Sequence, residues 1–190
     1  CWPHELRFRD SIALKKFQKE QKELIEEQKF QQFLFFDQWR KIKTYANEHG
    51  VQIIGDIPIF VGYDCADTWA NSDLFFFDEE LKPTVVAGVP PDFFSRTGQL
   101  WGNPLYDWKK HKTTGYAWWI ERIQQTLNMV DIIRLDHFRG FAGYYEIPAG
   151  SKTAEHGKWV KGPGKDFFDA LYQYFGDLPF IAEDLGVITP

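Results

Sequence analysis

Between Asp10 and Gly50 the apolar positions recur at helical spacing. Leu14, Phe17, Leu24 and Ile25 open the pattern, and Phe33, Leu34, Phe35, Phe36, Trp39, Ile42, Tyr45 and Ala46 continue it. Asp10-Ser11 supplies N-cap chemistry, the charge-rich residues 15–29 read as a solvated face, and Gly50 suits a left-handed cap. A break is expected near Phe30. The period then changes. Residues 51–58 form a short β-branched run that predicts a buried parallel strand ending near Asp56. Residues 59–112 are rich in Gly, Pro, Asn and Asp. Within them, Val89-Pro90-Pro91-Asp92 and Gly102-Asn103-Pro104-Leu105 argue against regular helix or a central strand, so a long functional loop is expected. An amphipathic helix follows over 116–128, with Trp119, Ile120, Ile123 and Leu127 on its apolar face. Then come a strand over 130–136, a Gly-rich loop, a helix over 166–175 and a third strand over 179–185.

Alternating strands and helices of this kind predict an α/β fold with a parallel sheet. The loops after the strands are long and those before them short, as in a β/α barrel whose chemistry sits at the strand C-termini. A complete barrel takes about 250 residues. The 190 residues are therefore expected to be one partial catalytic domain, an internal fragment of a (β/α)8 TIM barrel that holds three of its strands. A doubly wound open sheet is the alternative, and it would lack a Gly-x-Gly-x-x-Gly fingerprint. The chain opens on Cys1 and its only methionine is Met129, which fits a piece of a longer protein.

Composition narrows the function. With 22 basic and 27 acidic residues the net charge is −5, which argues against nucleic acid as a partner. A hydrophobic fraction of 44% provides for a core and excludes disorder. No apolar run approaches the roughly 18 residues of a membrane helix, so no membrane partner is expected. Two cysteines are too few for a disulfide framework, and a reducing compartment is the default. The 8 Trp, 8 Tyr and 18 Phe call for a large core, for ligand stacking on loops, or for both.

All three predicted strands finish in acid: Asp56, Asp136 and Glu183-Asp184. Acids are depleted in strands, and an unpartnered buried carboxylate costs several kcal/mol. Three such endings favour a site, with helix capping as the alternative. Side chains alternate along a strand, so Arg134 and Asp136 share a face. A guanidinium there keeps Asp136 charged, as a nucleophile must be; the competing reading is an ion pair that only holds the fold. Neighbouring strands lie about 4.7–4.9 Å apart. Asp136 and Glu183 are thus expected near the ~5–5.5 Å separation of retaining glycosidases, in which one carboxylate attacks and the other carries the proton. Asp184 beside Glu183 would favour that proton. Asp136, His137, Glu183 and Asp184 can also be drawn as metal ligands. Paired-His spacing is absent and Arg134 would repel a cation, so no metal is expected.

The motifs Arg134-Leu135-Asp136-His137-Phe138-Arg139-Gly140-Phe141, Ala182-Glu183-Asp184-Leu185-Gly186 and Gly55-Asp56-Ile57-Pro58-Ile59-Phe60-Val61 resemble the strand signatures of the 4-α-glucanotransferases. This is the amylomaltase or disproportionating-enzyme family, glycoside hydrolase family 77 of the α-amylase superfamily. The loop from Gly88-Val89-Pro90-Pro91-Asp92 through Gln99 to Tyr106 is similar to that family too, as is the opening from Trp2-Pro3 to Arg9-Asp10. The resemblance implies barrel strands three to five, with Asp136 as the nucleophile that forms a β-glucosyl-enzyme and Glu183 as the general acid/base. It implies that Arg134 orients and ionises Asp136, and that His137 and Asp56 hold hydroxyls of the sugar at the cleavage point. Trp101 and Asn103 would shape a glucan groove, with Asp92 a further contact, although Trp101 also suits a plug beneath the loop.

The implied substrates are α-1,4-glucans and maltooligosaccharides, and the chemistry needs no cofactor. The implied location is the cytoplasm, or a plastid if the source is a plant or alga. The family carries a third acidic residue on a later strand, beyond Pro190. The 190-residue chain by itself is therefore expected to be inactive and to fold poorly. A hydrolase of the same superfamily and a non-catalytic glucan-binding module are the rival functions.

Overall fold

The computed structural model describes residues 2–184. The chain divides into two units, Cys1–Ile53 and Ile54–Pro190.

The first unit is helical: α1 (His4–Arg7), α2 (Ser11–Glu20) and α3 (Lys22–Glu48). Asp10 caps α2, its Oδ1 accepting from the Ile12 N–H at 3.1 Å and the Ala13 N–H at 2.9 Å. The break lies at Gln21, not near Phe30. No Gly or Pro interrupts residues 26–34, and a Lys29–Glu26 pair at 2.8 Å supports that turn, so helix propagates through Phe30. At the other end Gly50 takes φ +74°. Its N–H donates to the Asn47 carbonyl at 3.0 Å and the Val51 N–H donates to Ala46 at 2.9 Å, the paired bonds of a Schellman motif.

The second unit follows as β1 (Ile54–Pro58), α4 (Ala66–Ala70), β2 (Val85–Val89), β3 (Gln99–Pro104), α5 (Trp108–Thr113) and α6 (Ala117–Met129). It continues with β4 (Ile132–Asp136), β5 (Gly143–Pro148), β6 (Lys158–Lys161), α7 (Lys165–Phe175) and β7 (Phe180–Ala182). The predicted parallel sheet is present among the described residues, in the order β1-β4-β7. Central β4 buries Ile133 and Leu135 on one face and turns Arg134 and Asp136 to the other. Leu185 and Gly186, at the end of the third predicted strand and motif, lie outside the described residues.

The two stretches expected to be loops are not irregular. β2 and β3 come from the first, β5 and β6 from the second, and they join in one antiparallel sheet of order β3-β2-β5-β6. Val86 pairs with Ile147, a partner far away in sequence, and such a partner is invisible to local turn signals. The proline rule still holds in its narrower form. Pro90 and Pro91 follow the end of β2, and Pro104 closes β3, an edge strand of that sheet.

Part of the aromatic surplus is core, and part stays exposed. Trp119 of α6, Phe141 and Phe167 of α7 are almost completely buried. The Phe141 and Phe167 rings stack at 4.8 Å, with Trp119 at 5.5 and 5.4 Å from them. Truncating one such ring to Ala costs about 3–5 kcal/mol. This packing joins α6 to α7, and α6 lies against β4.

Candidate active site

Arg134 organises the acids. Its Nη1 donates to Asp56 Oδ1 at 2.8 Å and Oδ2 at 2.9 Å. Its Nη2 lies 3.0 Å from Asp136 Oδ1 and 3.2 Å from Glu183 Oε1. The last two oxygens share one nitrogen and so lie no more than about 6 Å apart, a bound within which the ~5–5.5 Å spacing of retaining glycosidases falls. Hydrogen bonding to Asp56 holds the guanidinium above its ordinary range, so it stays a cation throughout.

Register explains the convergence. Asp56 pairs with Arg134 and Pro58 with Asp136, so Asp56 lies one pleat below the strand end rather than at it. The strand expected to stop near Asp56 runs two residues further, and the long guanidinium makes up that height. Glu183 follows β7, and its N–H donates to the Leu135 carbonyl at 3.1 Å, which brings it beside Asp136. The ion-pair partner of Glu183 is Arg134, a cation expected from sequence to serve Asp136.

His137 begins the turn after β4 in the left-handed region, with φ 51° and ψ 46°. That conformation costs a non-glycine residue about 1–2 kcal/mol. It is held at both ends, since the His137 N–H donates to Glu183 Oε2 and the Gly140 N–H donates to the His137 carbonyl. Burial pushes the imidazole below its usual range, with Glu183 and Asp136 acting the other way. Its Nε2 is buried with no hydrogen-bond partner among the described residues.

Trp101 joins this group, its ring edge-on to His137 at 4.8 Å and 38% exposed, so it is not a buried plug. Asn103 and Asp92 make hydrogen bonds of their own. The Asn103 amide donates to the Val61 carbonyl at 3.0 Å, which ties β3 to the segment after β1. Asp92 shapes its own loop, accepting from the Phe94 N–H at 2.9 Å and the Ser95 N–H at 2.7 Å. Beside it stand two residues that the sequence reading passed over, Phe93 and Phe94, at 97% and 92% exposure. The signal was available: paired aromatics after Pro-Pro-Asp sit where no strand can bury them.

No three His, Cys, Asp or Glu side chains converge as a metal set among the described residues. The centre of the acidic cluster is occupied by a guanidinium. No helix of the described residues is long and apolar enough to cross a membrane.

A parallel α/β sheet with charged side chains gathered at strand C-termini is the layout of an α/β enzyme. The family model described as 4-alpha-glucanotransferase, of glycoside hydrolase family 77, matches residues 1–190. The chain belongs to that family.

It is 52% identical over 188 residues to a 4-alpha-glucanotransferase of Aquifex aeolicus, covering 99% of this chain and 39% of the relative. It is 50% identical to the chloroplastic/amyloplastic 4-alpha-glucanotransferase of Solanum tuberosum, covering 99% of this chain and 33% of that one. Among solved structures, an amylomaltase from Streptococcus agalactiae in complex with acarbose superimposes with a TM-score of 0.96 at 43% identity, over 99% of this chain and 38% of that one. The chain thus spans roughly two-fifths or less of the length of these relatives.

Proposed function

We propose that this chain forms part of the catalytic domain of an enzyme that transfers segments of α-1,4-glucan between chains, or to glucose, by retaining double displacement. The observation that carries the reading is the convergence of Asp136 and Glu183 on one nitrogen of Arg134. In this reading the three parallel strands are about the third to fifth of a (β/α)8 barrel, and residues 1–190 are one partial domain of it. Asp136 attacks the anomeric carbon while Glu183 protonates the departing glycosidic oxygen. Glu183 then takes the proton of the incoming sugar hydroxyl as it displaces Asp136.

Arg134 holds both carboxylates in register and offsets their charge. Asp56 and His137 hold hydroxyls of the reacting sugar. Trp101 offers an exposed ring for stacking. Asn103 helps shape the glucan groove by tying β3 to the segment after β1, and Asp92 is a further candidate contact on its own loop. No cofactor enters this chemistry. The reading extends to cytoplasmic or plastid glucans, in keeping with the chloroplastic relative.

The test uses the full-length protein with maltotriose. Glucose plus longer maltooligosaccharides are expected, with the α-configuration retained. Asp136→Asn is expected to lower kcat by about a thousandfold or more. Release of shorter sugars alone would identify a hydrolase, and an unaffected D136N variant would leave only a glucan-binding role.

A further inference from the structure

Behind the acidic cluster, Arg122 of α6 reaches the C-terminal end of β1. Its Nη2 donates to the Pro58 carbonyl at 2.8 Å, and its Nη1 lies 3.4 Å from both the Ile59 carbonyl and the Tyr106 hydroxyl. Tyr106 is fully buried, and its hydroxyl donates to the same Ile59 carbonyl at 2.7 Å. The guanidinium also lies over the rings of Trp119 and Trp118, at 4.9 and 5.4 Å from their centroids. A planar fork with several donors suits two adjacent carbonyls; a lysine ammonium would reach one of them.

What this fork ties down is the turn that leaves β1. Ile59, Phe60 and Val61 in that turn are all buried, and the Val61 carbonyl is held from the other side by Asn103. The Phe60 ring lies 6.4 Å from His137 and 6.5 Å from Trp101. Ile59 reaches the inner side of the His137 turn, since a Cβ built on Gly140 would meet Ile59 Cδ1 at 2.7 Å. Asp56 lies two residues before Pro58 on the same strand. The turn is therefore the floor on which His137 and Trp101 rest, and Arg122 fastens it from behind.

We propose that Arg122, together with Tyr106, is a positioning residue of the candidate active site: it fixes the Pro58-Ile59-Phe60 turn and so sets the placement of Asp56, His137 and Trp101 around the reacting sugar. The proposal rests on reading the cluster as the glucan-transfer site. Asp136 and Glu183 belong to β4 and the end of β7, so loosening the turn acts on them less than on Asp56, His137 and Trp101. It misplaces the groups around the sugar ring, a displacement that lowers the rate more than it weakens ground-state binding.

The experiment measures kcat and KM for maltotriose in the full-length protein for Arg122→Met, Arg122→Lys and Tyr106→Phe, at temperatures well below each variant's melting point. Arg122→Met is expected to lower kcat by about tenfold or more with KM within about threefold. Arg122→Lys should recover part of the loss, and Tyr106→Phe should lose a smaller amount. Tyr106→Phe removes one oxygen from a packed ring and keeps the inference testable if Arg122→Met does not fold. In the double variant the losses should fall short of the product of the single ones, because both groups act on one carbonyl. A kcat within twofold of the parent for Arg122→Lys and Tyr106→Phe, with only the melting temperature lowered, would overturn the inference. An active Asp136→Asn variant would instead overturn the reading of the site on which it rests.

Discussion

Gly140 shows how one missing methyl group shapes the candidate site. A Cβ there would lie 3.1 Å from His137 Cδ2 as well as against Ile59. The isoleucine end can move aside, whereas the histidine ring is confined by its left-handed backbone and by Trp101. Gly140→Ala is expected to lower kcat/KM for maltotriose about tenfold while costing about 1 kcal/mol of stability, measured by kinetics and by urea denaturation of the full-length protein. His111 makes a different single-residue point. Fully buried against Tyr106, Trp108 and Trp118, its imidazole is pushed down to about 4 by burial, with the Leu74 carbonyl, Asp107 and Asp73 pulling the other way. The folded state thus binds this proton less readily than the unfolded state. The contribution is full above about pH 6.5 and is lost as pH falls toward about 4, on the order of 3 kcal/mol over that window. His111→Phe should flatten the acid limb of a stability–pH curve; an unchanged limb would place its origin elsewhere.

Among the elements, the parallel strands and their helices were readable because each carries a complete local signal. β-branched runs sit between a glycine or helix end and a loop, and 3.6-residue periodicity marks α6 and α7 within about a residue of their observed ends. The antiparallel sheet was not readable. Its strands are separated by turns rich in Gly and Pro, and the pairing that joins them into one sheet, β2 with β5, spans β4 in sequence. Gly88 records that closeness, since a Cβ there would come within 2.2 Å of the Gln99 carbonyl oxygen and 2.6 Å of Ile147 Cδ1. Backbone cannot yield as a side-chain tip can. Gly88→Ala is therefore expected to cost about 3 kcal/mol in the full-length protein, read from the urea midpoint, and a change below about 0.5 kcal/mol would contradict the observed β2–β3 pairing.

For the molecule as a whole, both outer strands of the parallel sheet, β1 and β7, have an unpaired edge among the described residues. Such edges recruit further strands or aggregate. The 190-residue chain expressed alone is expected to release no detectable glucose from maltotriose and to self-associate in sedimentation, whereas the proposed function expects turnover from the full-length protein. Turnover by the isolated chain would show that these residues suffice. The helical unit Cys1–Ile53 raises a related point at the same scale. None of its three helices fully buries a residue, and Phe30, Phe33, Phe35 and Phe36 remain exposed, so its apolar pattern predicted helices correctly without predicting a self-contained core.

Residue identity and spacing were enough to mark Asp56, Arg134, Asp136, His137 and Glu183 as a group, because acids and a guanidinium at strand ends demand partners wherever they occur. They were also enough for the α/β class, since periodicity is a property of the local chain. Register and reach were decided in three dimensions. Pairing across β1, β4 and β7 set Asp56 a pleat below Asp136 and let one arginine hold three carboxylates at once. Folding likewise gave the Asn103 amide to the Val61 carbonyl and the Asp92 carboxylate to its own loop, and brought Arg122 and Tyr106 beneath the β1 turn. Those outcomes depend on distances between segments far apart in sequence, and such distances are set only when the core packs.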